Sequence, residues 1–182
     1  MHAAAPRRAT GFTLTEMLVV LAIGAVLSAV AVPGFSSTVL KYRMGAENSA
    51  LLDSLLLARA EARQGGASVS MCASNNGSAC TSTPWHEGHI VFRDEGSAGV
   101  VDGADVVIER SVAARSGISI GATLQQGGGA FLPNFLQFGP DGKLSVRTAV
   151  VFTVCAARQQ PLLTAVQLNG ATSSSKGVVA CS

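Results

Sequence analysis

Gly11-Phe12-Thr13-Leu14-Thr15-Glu16-Met17-Leu18-Val19-Val20-Leu21 is the stretch on which the fold turns. It opens a run that holds a single charge, Glu16, between Phe12 and Val32, and none at all from Met17 onward. As a helix, the 21 residues from Phe12 to Val32 would be about 31 Å long, roughly one hydrocarbon thickness. The run can therefore span a membrane. Two rival readings are an ordinary secretory signal, whose cleavage site Ala29-Val30-Ala31 would imitate, and a plain signal anchor. Neither needs an acid five residues into the apolar run. A carboxylate there costs roughly 2.5–3.5 kcal/mol on insertion scales, and so expensive a group usually has a partner. Cutting the chain between Gly11 and Phe12 supplies one, because Phe12 then carries a cationic α-amino group. That amine can neutralise Glu16 in its own chain or in a neighbour, and so set the axial register between packed helices. The preceding MHAAAPRRATG has two arginines and no acid, and reads as a leader.

This stretch resembles the type IV pilin and pseudopilin signature: a Gly, an N-methylated Phe, a Glu four residues later and an apolar helix. The resemblance implies that prepilin peptidase cuts after Gly11 and methylates Phe12, and that Glu16 acts in assembly. It implies other major and minor pilins or pseudopilins as partners. It also implies residence in the bacterial inner membrane, single pass with the head in the periplasm, followed by entry into a pilus or pseudopilus filament.

The helix is expected to continue past Pro33-Gly34, which should kink rather than end it. Leu40, Met44, Leu51, Leu55, Ala58 and Ala62 recur at spacings of three, four and seven, one face of an amphipathic helix. Lys41, Arg43, Glu47, Asp53, Arg59, Glu61 and Arg63 supply its polar positions, and Gly65-Gly66 is a strong stop. The periodicity predicts one helix over about 13–64. An apolar face of this kind needs a cover. The rest of the chain is rich in Gly, Ser, Thr and Val and predicts strands at 67–73, 88–93, 105–112, 117–122, 132–138, 149–156, 163–168 and 177–181. Asp102-Gly103, Asp141-Gly142 and Asn169-Gly170 mark turns, while Gly127-Gly128-Gly129 and the run Thr172 to Ser175 mark loops. The expected organisation is leader 1–11, transmembrane and filament-core helix 12–33, amphipathic helix 34–64, and a β-rich antiparallel head 65–182. This is an α+β type IV pilin-like fold, with the head wrapped on the second half of the helix.

A second resemblance is carried by the head. Val69-Ser70-Met71-Cys72, then Cys80, Trp85, Gly88 and Ile90-Val91-Phe92-Arg93-Asp94, then Leu136-Gln137-Phe138-Gly139-Pro140-Asp141-Gly142 are together similar to the GspH/FimT family of minor pilins and minor pseudopilins. It implies a minor pilin that primes or modifies a type IV pilus, or a minor pseudopilin of a type II secretion system. Some FimT-type members take up DNA through a Gly-Arg-x-Arg element near the C-terminus. The comparable segment here, Leu168-Asn169-Gly170-Ala171-Thr172-Ser173, keeps the glycine and lacks both arginines.

Of the 182 residues, 48% are hydrophobic and 13% charged, with a formal net charge of +2. Beyond Gly65 seven Lys and Arg face seven Asp and Glu. The head therefore has no overall basic field of the kind nucleic-acid readers use. Lys143, Arg147, Arg158 and Lys176 would be its weak DNA contacts, and DNA is not the favoured partner. Four cysteines, Cys72, Cys80, Cys155 and Cys181, favour two disulfides in an exported domain, and three pairings are open. Cys72 with Cys80, across a turn containing Asn75-Asn76-Gly77, and Cys155 with Cys181, joining two late strands, is the favoured set. A zinc site built from these thiols with His86 and His89 fits no standard spacing. Those histidines are expected at the surface or in loops, and Trp85 as a core plug. Asp94, Glu95, Asp102 and Asp105 lack the spacing of a calcium loop and read as solvated turn acids. No metal or other cofactor is expected. No nucleophile sits in a recognisable catalytic motif, so the chain reads as a non-enzyme.

Overall fold

The structure is a computed structural model that describes residues 11–125, 134–179 and 181, with the side chains of 30–34 left out. The described chain divides into two compact units, one up to Val39 and one from Leu40 onward. One unbroken helix, α1, the one α-helix among the described residues, runs from Leu14 to Gly65. Gly66 follows it with φ +62°, the left-handed conformation that closes helices at low cost when no Cβ is present.

Among the described residues eight strands form two antiparallel sheets. The first has the order β3 (Val106–Ser111), β2 (His89–Arg93), β1 (Val69–Ala73), β5 (Phe135–Phe138). The second has the order β4 (Ile118–Leu124), β6 (Val150–Ala156), β7 (Leu162–Val166), β8 (Thr172–Lys176). A 3-10 turn, Trp85–Glu87, leads into β2. Met44, Leu51, Leu55, Ala58 and Ala62 of the helix are buried in one cluster with residues of both sheets. The helical periodicity read from the sequence thus marks the face that the sheets cover.

Strand β6 alternates strictly, with Val150, Phe152, Val154 and Ala156 turned inward. Strand β1 is buried at every position. Its second face is covered too: Cys72, Ile90 and Phe92 form a smaller cluster with Cys80, Val101, Val107 and Phe135. Trp85 is buried and meets Phe152 edge to face, with centroids 5.0 Å apart and planes at 86°. An aromatic pair in this arrangement contributes about 0.5–1.5 kcal/mol beyond its buried area.

Three sequence expectations are corrected. The last strand is Thr172–Lys176, not 177–181. The Asn169-Gly170 turn lets the chain return at once, so that Thr172 pairs with Val166 and Lys176 with Leu162. A Ser/Thr tract serves there because β8 is an edge strand with four of its five residues exposed. His89 is buried rather than at the surface, and so is Asp94. The expected Gly127–Gly129 loop and residues 132–133 of the expected fifth strand lie outside the described residues.

Candidate functional site

The helix start is the first candidate region. Gly11, Phe12 and Thr13 precede the helix in irregular backbone, so the Gly11–Phe12 peptide lies outside regular structure. Thr13 and Glu16 form a reciprocal cap. The Thr13 N–H donates to Glu16 Oε2 at 2.9 Å and the Glu16 N–H donates to Thr13 Oγ1 at 3.2 Å. Two of the helix's unpaired donors are satisfied in this way. The Thr-x-x-Glu pattern of the sequence is the local signal for this cap, and it gives Glu16 a second role beside that of a charge in lipid. Beyond the cap, Leu14, Met17, Leu18, Val19, Val20 and Leu21 are all exposed. A helix that is apolar all round needs lipid or other helices to cover it. Among the described residues no helix is long and apolar enough to cross a membrane. The uncharged run of the sequence extends through positions 30–32, whose side chains are not described.

In the head, the family-like motif residues hold the first sheet together. Asp94 Oδ2 accepts hydrogen bonds from Ser70 Oγ on β1, from Gln137 Nε2 on β5 at 3.1 Å and from the Gly99 N–H at 2.8 Å. One buried carboxylate thus ties two strands to the 94–105 loop. Asp105 finishes that loop by accepting from the N–H groups of Glu95 and Asp102, which makes it a turn organiser. No group of acids, histidines and cysteines among the described residues could hold a metal ion. The structure joins Cys72 to Cys80 and Cys155 to Cys181.

Ser54, His89 and Glu109 form a buried chain that the sequence did not show. His89 Nε2 lies 3.0 Å from Ser54 Oγ, and Ser54 Oγ lies 3.1 Å from both Glu109 Oε1 and the Ala50 carbonyl oxygen. The hydroxyl has one proton, and both of those oxygens are acceptors. His89 must therefore donate to the serine. Burial pushes the His89 imidazole down to about 4, so it is neutral near pH 7. An imidazole that donates to the serine cannot take the serine's proton, and the trio is a packing device rather than a nucleophile with its base. Ser54 lies 35 residues from His89 and 55 from Glu109 in sequence, so no local signal could have found the trio.

The four candidate DNA contacts do not gather in one place. Lys143 pairs with Asp141 at 3.0 Å, and the Lys143 N–H, followed by its ammonium, holds the Asp141 carboxyl below its usual range. Beside them, the turns Asp141-Gly142 and Asn169-Gly170 meet at Arg59, which donates to the carbonyl oxygens of Gly142 and Asn169. Gly170 has φ +74°, and a Cβ there would overlap the Gly142 carbonyl oxygen, so its glycine is required by packing. Arg158 and Lys176 instead line a cleft with Lys41. Lys176 pairs with Leu162, at the end of the β7–β8 hairpin away from that turn. Arg147 is exposed.

A family model described as type II transport protein GspH matches residues 47–172, and one described as the prokaryotic N-terminal methylation motif matches residues 6–32. Among solved structures the chain is similar to the type IV minor pilin FimU of Pseudomonas aeruginosa, at 15% identity and a TM-score of 0.54, over 77% of this chain and 90% of that one. It is similar also to the minor pseudopilin EpsH of the Vibrio cholerae type II secretion system, at 14% identity and a TM-score of 0.53, over 75% of this chain and 97% of that one. No protein of curated function matches the chain. The two solved structures share its fold: a helix followed by an antiparallel β-sheet head.

Proposed function

The chain belongs to the GspH family of type II transport proteins, and from that premise we propose that it is a minor pilin. In this reading it is cut between Gly11 and Phe12, methylated on Phe12, held in the inner membrane by residues 12–33 with its head in the periplasm, and then drawn into a type IV pilus to prime or modify assembly. The observation that carries the reading is one acid, Glu16, at the start of an uncovered apolar helix inside the matched methylation motif, on the same chain as the matched head. Before assembly the Thr13–Glu16 cap satisfies the carboxylate locally. After assembly the Phe12 amine of the same or a neighbouring subunit neutralises it, and removal of one partner from such a buried pair costs about 3–5 kcal/mol.

Mass mapping of the unreduced protein recovered from filaments tests this reading, with the expected N-terminus a methylated Phe12. Glu16→Val should insert into the membrane and fail to enter filaments. A mature chain that still begins at Met1, or normal incorporation of Glu16→Val, would overturn the proposal.

The family model's description favours a second reading, a minor pseudopilin whose filament serves type II secretion. Deletion of the chain separates the two: loss of pilus-dependent motility supports the first, and retention of secreted proteins in the periplasm supports the second.

A further inference from the structure

The cleft lined by Lys41, Arg158 and Lys176 is assigned no role by the reading above. Its volume is about 490 Å³, and Met44, Leu162, Gln159 and Gln160 complete its wall. That size lies in the range of small-ligand sites. No carboxylate lines it, and none of the three cations forms a salt bridge among the described residues. Three positive charges around one concavity, with no carboxylate in its lining among the described residues, favour an anion.

The wall that carries Arg158 is held in place. Arg158 has φ +62°, a conformation uncommon for a residue with a side chain, and its N–H donates to the Cys181 carbonyl oxygen at 3.3 Å. The Cys181 N–H donates to the Gln159 carbonyl oxygen at 2.9 Å, and the Cys155–Cys181 disulfide fixes the same segment. The Gly177 N–H donates to the Pro161 carbonyl oxygen at 2.8 Å. Between these two anchors Val178 and Val179 are 94% and 80% exposed. Tyr42, next to Lys41, is 81% exposed. Cations beside exposed apolar side chains and a tyrosine are the surface chemistry of a membrane interface.

We propose that this end of the head seats on the membrane surface while the subunit waits for assembly, with the cleft taking the phosphate of an anionic phospholipid head group and Val178 and Val179 entering the interface beside it. This rests on the anchor reading of residues 12–33. Given that reading, chain length alone keeps the cleft close to the bilayer, because Lys41 is nine residues after Val32. Even fully extended, that stretch reaches only about 30 Å. A phosphate fits the cationic cleft, and the acyl-linked glycerol fits the half-buried Leu162 of its wall. Docking of DNA is less favoured, because the three cations sit inside a small concavity and the head carries no net basic field.

The test uses the full chain in nanodiscs of phosphatidylcholine alone and of equal parts phosphatidylcholine and phosphatidylglycerol, read by amide hydrogen exchange. Exchange at 158–160 and 176–179 should be slowed only in the anionic discs. Each of Lys41→Gln, Arg158→Gln and Lys176→Gln should weaken that protection by about fivefold, the effect of one cation near an anionic surface. Lys143→Gln, at the other end of the β7–β8 hairpin, should leave it unchanged. Raising salt on the unmodified chain should abolish the protection, which keeps the test valid if a variant fails to fold. Equal exchange in both discs would overturn the proposal. So would protection by soluble inorganic phosphate equal to that by the anionic discs, or stronger protection by a DNA duplex. A chain that does not insert at all would overturn the anchor reading and this inference with it, whereas insertion without protection overturns this inference alone.

Discussion

The first turns of α1 and the head both bury or display long runs of apolar side chains, yet they solve the problem of cover in opposite ways. From Leu14 to Leu27 the large apolar side chains are exposed. In the unit from Leu40 onward, Leu51, Leu55, Phe138 and Phe152 are fully buried in the cluster that the helix shares with the chain's own two sheets. The difference lies in pattern rather than in degree of hydrophobicity. The helical stripe from Met44 to Ala62 has a polar side to give to water, so a single cover suffices. The N-terminal run has no polar side to give to water, so cover on one face cannot complete it. One part is completed by folding and the other by its surroundings.

The sharpest way to break that contrast is to damage the covered part alone. Phe152→Ala removes a fully buried ring and its edge-to-face partner for Trp85. The head should lose about 3–5 kcal/mol of stability, measured by urea titration, with membrane insertion and cleavage unchanged. If insertion or cleavage failed together with the head, the two units would not be independent in the way their burial implies.

A smaller effect is expected from the disulfides. Cys155→Ser with Cys181→Ser opens a loop with a sequence separation of 26, and Cys72→Ser with Cys80→Ser opens one of 8. Loop entropy gives losses of about 3.5 and 2.5 kcal/mol, so the first pair should lower the melting midpoint more than the second. The reverse order would mean that the short bridge supports the outer cluster of Cys72, Ile90 and Phe92 directly rather than through chain entropy.

A third effect, confined to a window of pH, concerns acid. The imidazole of His89 titrates at about 4 in the folded head against an ordinary 6.5. The unfolded chain therefore binds the proton first as pH falls. The stability present above pH 6.5 is lost progressively down to about pH 4, by at most about 3 kcal/mol. His89→Gln, which can still donate to Ser54, should flatten that part of the pH profile. An unchanged slope would place the acid sensitivity elsewhere.

Sequence reading reached furthest where the pattern was local. The helix was expected over 13–64 and runs Leu14–Gly65, and its buried face follows the spacing of Met44, Leu51, Leu55, Ala58 and Ala62. Seven strands were visible as apolar or alternating runs between turn residues. The eighth was hidden because an exposed edge strand needs no apolar residues, while Val178 and Val179 imitated one. Asp94 and His89 were misjudged for a related reason. A polar side chain is read as exposed unless its partners are known, and theirs, Ser70 and Gln137 for one and Ser54 for the other, arrive from distant segments.

By itself the sequence determined the long helix, the lone acid in its apolar run and the turn positions of the head, because periodicity, charge and glycine placement act through near neighbours along the chain. Only the tertiary structure decided that Arg59 gathers two turns, that Asp94 ties β1 to β5, and that Lys41, Arg158 and Lys176 surround one cleft. Those groupings join residues brought together by sheet order and by cover of the helix, and nothing in the spacing of a one-dimensional chain records which distant polar groups will share a buried space.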